Sequence, residues 1–108
     1  MPSSPIVSLD DQTFDATAQA AHGTLVVDFW APWCGPCRAM EGIFATLAEQ
    51  LSGRVAFAKV NVDDNPELAR RFRVRSIPTV VVFRDGQVVQ SVVGAQSLQS
   101  LSELVGAH

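Results

Sequence analysis

Cys34 and Cys37 are the only cysteines in the 108-residue chain, and they stand three apart in Trp33-Cys34-Gly35-Pro36-Cys37. Residues three apart on a helix share a face, with Cα atoms about 5 Å apart. That lies within the roughly 4.4–6.8 Å a disulfide tolerates, so the pair can open and close with little backbone movement. Pro36 suits a first helical turn, where its missing N–H would have had no intrahelical partner. Cys34 would meet the unpaired amides of the helix N-terminus, which stabilise a thiolate and lower its pKa. Cys37, one turn further in, is expected to be less exposed. The asymmetry assigns roles: Cys34 attacks a disulfide, and Cys37 resolves the mixed disulfide that results. Zinc binding is the weaker reading, because the remaining ligands would have to be His22 and His108, at a spacing unlike any compact zinc module. No metal site is expected. A purely structural disulfide over so short a loop would remove little unfolded-state entropy.

Two charged residues stand in apolar surroundings. Asp28 interrupts the run Thr24 to Trp30, where an unpaired charged carboxylate is costly. It is either a satisfied structural group or a functional acid. Lys59, the single lysine, sits amid Val55, Phe57 and Val60 and is a candidate partner for Asp28, the alternative being an ordinary surface lysine. Trp30 reads as packing rather than chemistry.

The elements that must position these groups are legible from periodicity and punctuation. Ile6 to Leu9 reads as a short strand, with Asp10 or Asp11 to cap a helix carrying Phe14, Ala18 and Ala21 and ended by Gly23. Thr24 to Trp30 reads as a strand buried on both faces. After Ala31-Pro32-Trp33, the positions Cys37, Met40, Ile43, Phe44, Leu47, Ala48 and Leu51 recur at helical spacing, up to a stop at Gly53. Val55 to Val62 is a third strand. Asn65-Pro66-Glu67 reads as N-cap, first-turn proline and acidic first turn, with Leu68, Ala69 and Phe72 facing inward. Thr79 to Phe83 and Gln87 to Val93 flank the hairpin dipeptide Asp85-Gly86, and Ser97 opens a last helix with Leu98, Leu101, Leu104 and Val105. The order βαβαβαββα implies two parallel βαβ units with right-handed crossovers, followed by an antiparallel hairpin. A three-layer α/β/α sandwich follows, with its ligand site at the carboxyl ends of the parallel strands, where Cys34 falls.

Composition narrows the class. The chain is 47% hydrophobic and 18% charged with a formal net charge of −3, which disfavours both disorder and nucleic acid as the main partner. The expectation is one domain over residues 6–108 behind a loose end at 1–5. The start Met1-Pro2-Ser3-Ser4-Pro5 lacks a signal peptide's basic and apolar regions, and no apolar run nears the ~20 residues that span a membrane. A cytoplasmic location is the expectation.

The chain resembles the thioredoxin family from about Ile6 to its C-terminus. The likeness is carried by Val27-Asp28-Phe29-Trp30-Ala31-Pro32-Trp33-Cys34-Gly35-Pro36-Cys37, by Val60-Asn61-Val62-Asp63 with Asn65-Pro66, by Ile77-Pro78-Thr79, by Phe83 with Asp85-Gly86, and by Val93-Gly94. The resemblance implies a monomeric protein-disulfide reductase whose redox group is the Cys34–Cys37 disulfide, with no bound cofactor. It implies recharging by a thioredoxin reductase, usually an NADPH-dependent flavoenzyme, and disulfide-containing proteins as substrates. The strand order implied is 1-3-2-4-5 in a mixed sheet, with strands four and five antiparallel to the rest. Asp28 would be a buried acid behind Cys37, its pKa raised by desolvation, that takes the Cys37 proton, and Lys59 would tune it. Pro78 would be cis, packed on the cysteine pair, turning the Ile77 backbone outward to pair with an extended substrate. Lacking a ligating side chain, it would also discourage metal capture by the thiols. Trp33, Gly35 and Pro36, with Ile77, Gly94 and Ala95, would complete an apolar rim around Cys34.

Three positions depart from the family pattern. Gly42 stands where many relatives carry a helix-bending proline, so a milder kink and lower stability than proline would give are expected. Arg38 replaces the usual lysine and keeps its charge, and Ser76 replaces a common glycine. Two alternatives remain at this level. An oxidase or isomerase would differ in redox potential, and a binding module would survive replacement of both cysteines by serine.

Overall fold

The computed structural model describes residues 5–21 and 23–106. Along the chain run β1 (Ile6–Leu9), α1 (Phe14–Ala20), β2 (Thr24–Trp30), α2 (Gly35–Gln50), β3 (Ala56–Asn61), α3 (Pro66–Arg71), β4 (Thr79–Arg84), β5 (Gln87–Val93) and α4 (Leu98–Gly106). The strands form one sheet in the order β1-β3-β2-β4-β5, as expected. β1, β3 and β2 are mutually parallel, while β4 runs against both β2 and β5. One expectation is corrected here: β4 alone is antiparallel to the rest. β5 turns back through a tight hairpin and regains the direction of β2, since two successive reversals restore it.

Alternation along the strands explains the three layers. Leu25, Val27 and Phe29 face α1 and α3, packing with Phe14, Ala18, Leu68 and Phe83. Val26 faces the opposite way, with Phe57, Val80 and Val82 against Met40, Phe44 and Leu47 of α2 and Leu101 and Val105 of α4. Asp28 and Trp30 therefore belong to the α2 side by period-two alternation. A polar residue in β2 is thereby delivered beneath the helix that carries the cysteines.

The turns follow local chemistry. Asp85 (φ 49°) and Gly86 (φ 83°) both occupy the left-handed region, which a two-residue hairpin of this hand requires. Ser97 Oγ accepts the N–H of Ser100 and so caps α4. The capping of α1 and α3 differs from expectation. Asp10 Oδ1 accepts the N–H groups of Gln12 and Thr13 in the turn before α1, but Asp11 serves the other helix, its Oδ1 accepting Leu68 N–H at 3.0 Å. Asn65 precedes α3 yet does not cap it; its Oδ1 accepts Asp11 N–H, and its Nδ2 donates to the Asn61 carbonyl. The two side chains exchange partners across 54 residues, which pins α3 to the start of α1. The Gly23 turn (φ 92°) comes two residues after the α1 C-cap at Ala21, and β3 is one residue shorter at each end than expected.

Candidate active site

Cys34 is the N-cap of α2, at the carboxyl end of β2, and Gly35-Pro36 form the first turn. The two sulfurs are joined as a disulfide with Cα atoms 5.2 Å apart. Cys34 Sγ accepts the backbone N–H of Cys37 at 3.2 Å, one of the helix-terminal amides that have no intrahelical acceptor. That contact places a fixed donor on the sulfur that would carry negative charge in the dithiol state.

The expected contrast in exposure is absent: Cys34 is 4% and Cys37 3% exposed. Both sulfurs sit in a small cluster with Ala31, against Trp30, Val62 and Ile77. What distinguishes them is the side each faces. Cys34 Sγ lies 3.7 Å from the Ile77 carbonyl oxygen, on the rim side. Cys37 instead lines a cavity of about 350 Å³ together with Asp28, Glu41, Lys59, Trp30 and Ser8.

That cavity assembles from registered rows. Ser8, Lys59 and Asp28 are lateral neighbours across β1, β3 and β2, so their side chains leave the same face of the sheet. Asp28 is 6% exposed, and its Oδ1 is a buried acceptor with no hydrogen bond from the described residues. Burial pushes its carboxyl up to about 7; Lys59 pulls against that shift, and the Glu41 carboxylate adds to it. Lys59 does not bond Asp28 directly. Its ammonium sits 4.9 Å from the centroid of the Trp30 ring, so the lysine acts on Asp28 through the field. Trp30 thus packs the site and also seats its cation.

On the outer side, Ile77-Pro78 is a cis peptide. Pro78 is buried, and its carbonyl accepts the Gly94 N–H at 2.8 Å, which joins the two halves of the rim. Among the described residues, Ile77 N–H donates no hydrogen bond. Gly94 takes φ 95°, a conformation that favours glycine. Gln96 secures this corner: its Nε2 donates to the Gly94 carbonyl, and its N–H reaches Met40 Sδ at 3.4 Å. Gly35, Pro36 and Ala95 are exposed. Trp33, 69% exposed, is held by its indole N–H, which donates to Asp63 Oδ2 at 2.8 Å.

Three contributors were not picked out from the sequence: Glu41, Asp63 and Gln96. Glu41 had a readable signal, since it stands four residues after Cys37 and shares its helical face. Asp63 and Gln96 act through tertiary contacts that spacing does not announce. His22 and His108, the residues a zinc reading would need, lie outside the described residues, as do Met1 to Ser4 of the expected loose end. No helix among the described residues is long and apolar enough to cross a membrane.

A helix-start disulfide, a buried acid sharing a cavity with its inner sulfur and the carbonyl of a cis Ile77-Pro78 peptide beside its outer one together describe a thiol–disulfide exchange site. Comparison with known proteins agrees. Residues 5–107 match the family model described as Thioredoxin. The chain is 43% identical to "Thioredoxin" of Staphylococcus haemolyticus, over 95% of this chain and 97% of that one. It is 40% identical to "Thioredoxin" of Bacillus subtilis over the same shares. Among solved structures, a mutant thioredoxin from Halobacterium salinarum superposes with a TM-score of 0.86 at 37% identity, covering 99% of this chain and 95% of that one.

Proposed function

The chain belongs to the thioredoxin family of dithiol–disulfide oxidoreductases, with Cys34 and Cys37 as its redox pair, and from that premise we propose that it is a general, cytoplasmic protein-disulfide reductase working as a single-domain monomer. The Cys34 thiolate attacks one sulfur of a substrate disulfide. The substrate S–S bond breaks, a Cys34–substrate disulfide forms, and the first substrate thiolate leaves and takes up a proton. Asp28 then accepts the Cys37 proton, and the Cys37 thiolate attacks Cys34 Sγ. The Cys34–Cys37 bond closes as the second substrate thiolate departs, so two electrons pass from the dithiol to the substrate. A thioredoxin reductase, by family analogy an NADPH-dependent flavoenzyme, returns them. The cysteine pair is itself the redox group, and no step calls for a bound cofactor or metal.

The observation that carries this reading is the hydrogen bond from Cys37 N–H to Cys34 Sγ at the start of α2. It stabilises charge on Cys34 only. Asp28 is the base because it shares the Cys37 cavity and gains and loses its proton near neutrality. Lys59 tunes it. Substrate would lie as an extended strand along Ile77, whose free N–H and nearby carbonyl can pair with it. Trp33, Gly35, Pro36, Pro78, Gly94 and Ala95 would supply the surrounding contact surface.

Trapping tests the order of attack. Mixing Cys37→Ser protein with a disulfide-bonded protein such as insulin should accumulate a mixed disulfide through Cys34, detectable by intact mass, whereas Cys34→Ser should accumulate none and fail to turn over. A mixed disulfide forming through Cys37 in the Cys34→Ser variant at a comparable rate would overturn the assignment.

A further inference from the structure

The redox chemistry leaves one surface unused. Four of the chain's eight basic residues, Arg70, Arg71, Arg73 and Arg75, fall within six positions that contain no acid, although the whole chain carries a net charge of −3. All four are exposed. Arg70 pairs with Glu67 and Arg71 with Asp15. Arg73 and Arg75 make no ion pair among the described residues. Arg70, Arg73 and Arg75 line one cleft of about 320 Å³ with Ala69 and Val74.

The backbone beneath the cleft supplies a second observation. Arg73 takes φ 57°, reached as its N–H bonds the Arg70 carbonyl and Val74 N–H bonds the Ala69 carbonyl at 2.8 Å. This is the left-handed position after a helix where glycine is the unstrained choice. The chain places glycine at four other positive-φ sites: Gly23, Gly53, Gly86 and Gly94. The other non-glycine at positive φ among the described residues, Asp85, is offset by its Oδ1 accepting Gly23 N–H. The backbone bonds at Arg73 close the helix but could be made equally by glycine. The Arg73 side chain makes no hydrogen bond or ion pair among the described residues to offset the conformation, which points to a use for that side chain.

One residue of the cleft, Arg75, is tied by a short stretch of chain to the rim of the redox site. Arg75 precedes Ile77 by two residues, at most about 7 Å of chain, and the Ile77 carbonyl is 3.7 Å from Cys34 Sγ. We propose that the cleft formed by Arg70, Arg73 and Arg75 docks a carboxylate-rich segment of the substrate protein, so that this reductase favours disulfides lying beside acidic residues. Guanidinium groups match carboxylates in shape and charge. A substrate strand rising ~3.3 Å per residue would bring acids two to four places from its cysteine to the cleft. The proposal rests on the reductase reading and adds its substrate class.

Two peptides with the same disulfide test it, one bearing Asp and Glu two to four residues from a cysteine and the other Asn and Gln. Second-order rate constants for oxidation of the reduced full-length protein are measured in low salt and in about 0.3 M salt. The acidic peptide should react about tenfold faster at low salt and lose most of that advantage at high salt. Arg73→Gly combined with Arg75→Gln should bring the ratio close to one. Arg73→Gly alone should lower the ratio while melting a few degrees higher, because glycine is unstrained there; misfolding could not explain such a loss. Equal rates for both peptides with the unsubstituted protein, or a preference that survives the double substitution, would overturn the proposal. So would displacement of the acidic peptide by a labelled single-stranded oligonucleotide, which would assign the cleft to phosphate. Reaction with neither peptide would remove the reductase reading and this proposal together.

Discussion

Asp28 concentrates the tension of the site. Its carboxyl is buried under α2 and pushed up to about 7, mostly by desolvation. The unfolded chain gives up this proton near pH 4, while the folded protein keeps it until about pH 7. Stability should therefore fall as pH rises through that window and level off above it. Asp28→Asn removes the ionisation, so the oxidised variant should be more stable by roughly 2–4 kcal/mol at pH 8 and no more stable at pH 4. Urea unfolding at the two pH values checks this, and an advantage independent of pH would contradict it. The neighbours should act in opposite directions on the pH profile of Cys37 reactivity. Lys59→Ala removes the pull downward and should move the midpoint up, and Glu41→Gln should move it down. A profile unchanged by Lys59→Ala would remove the lysine from the mechanism.

At the scale of elements, the helix that presents the cysteines is well supported except at one position. Gly42 lies exposed in the middle of α2, and a Cβ added there meets nothing within 4 Å. Gly42→Ala should stabilise the protein by about 0.5–1 kcal/mol through helix propensity alone, measurable as a shift in denaturation midpoint without a change in slope. The exchanged contacts of Asp11 and Asn65 matter in the other direction. Asp11→Ala strips α3 of its cap at Leu68 and should cost about 1 kcal/mol. α2 and the hairpin were legible because their signals are local: three-and-four spacing, a proline in the first turn, and Asp85-Gly86. The α3 cap was not, because an aspartate just before one helix looks like that helix's own cap. Only tertiary placement shows that Asp11 reaches α3 instead.

For the molecule as a whole, function requires one fold in two redox states. The disulfide closes a loop of sequence separation 3, and in the chain-entropy picture so short a loop contributes only about 2 kcal/mol. Two cores, one on each face of the sheet, carry the rest. The reduced protein should therefore unfold cooperatively at a midpoint only modestly below that of the oxidised one; an unfolded reduced form would contradict this. Much of the site was readable at this scale, since βαβ order alone puts Cys34 at a strand's carboxyl end. The position of Asp28 beneath Cys37 follows once β2 alternation is combined with the side on which α2 packs. The arginine cleft was less accessible, because it depends on where α3 ends and on one residue's φ.

The most direct test of the mechanism is the titration of Cys34 in the reduced protein. Iodoacetamide alkylation from about pH 5 to 10, localised to Cys34 by mass spectrometry, gives its midpoint. We expect that midpoint below about 7.5, as for a thiol facing helix-terminal amides. A midpoint at or above about 8.5, the value of an unperturbed thiol, would contradict the role given to the start of α2.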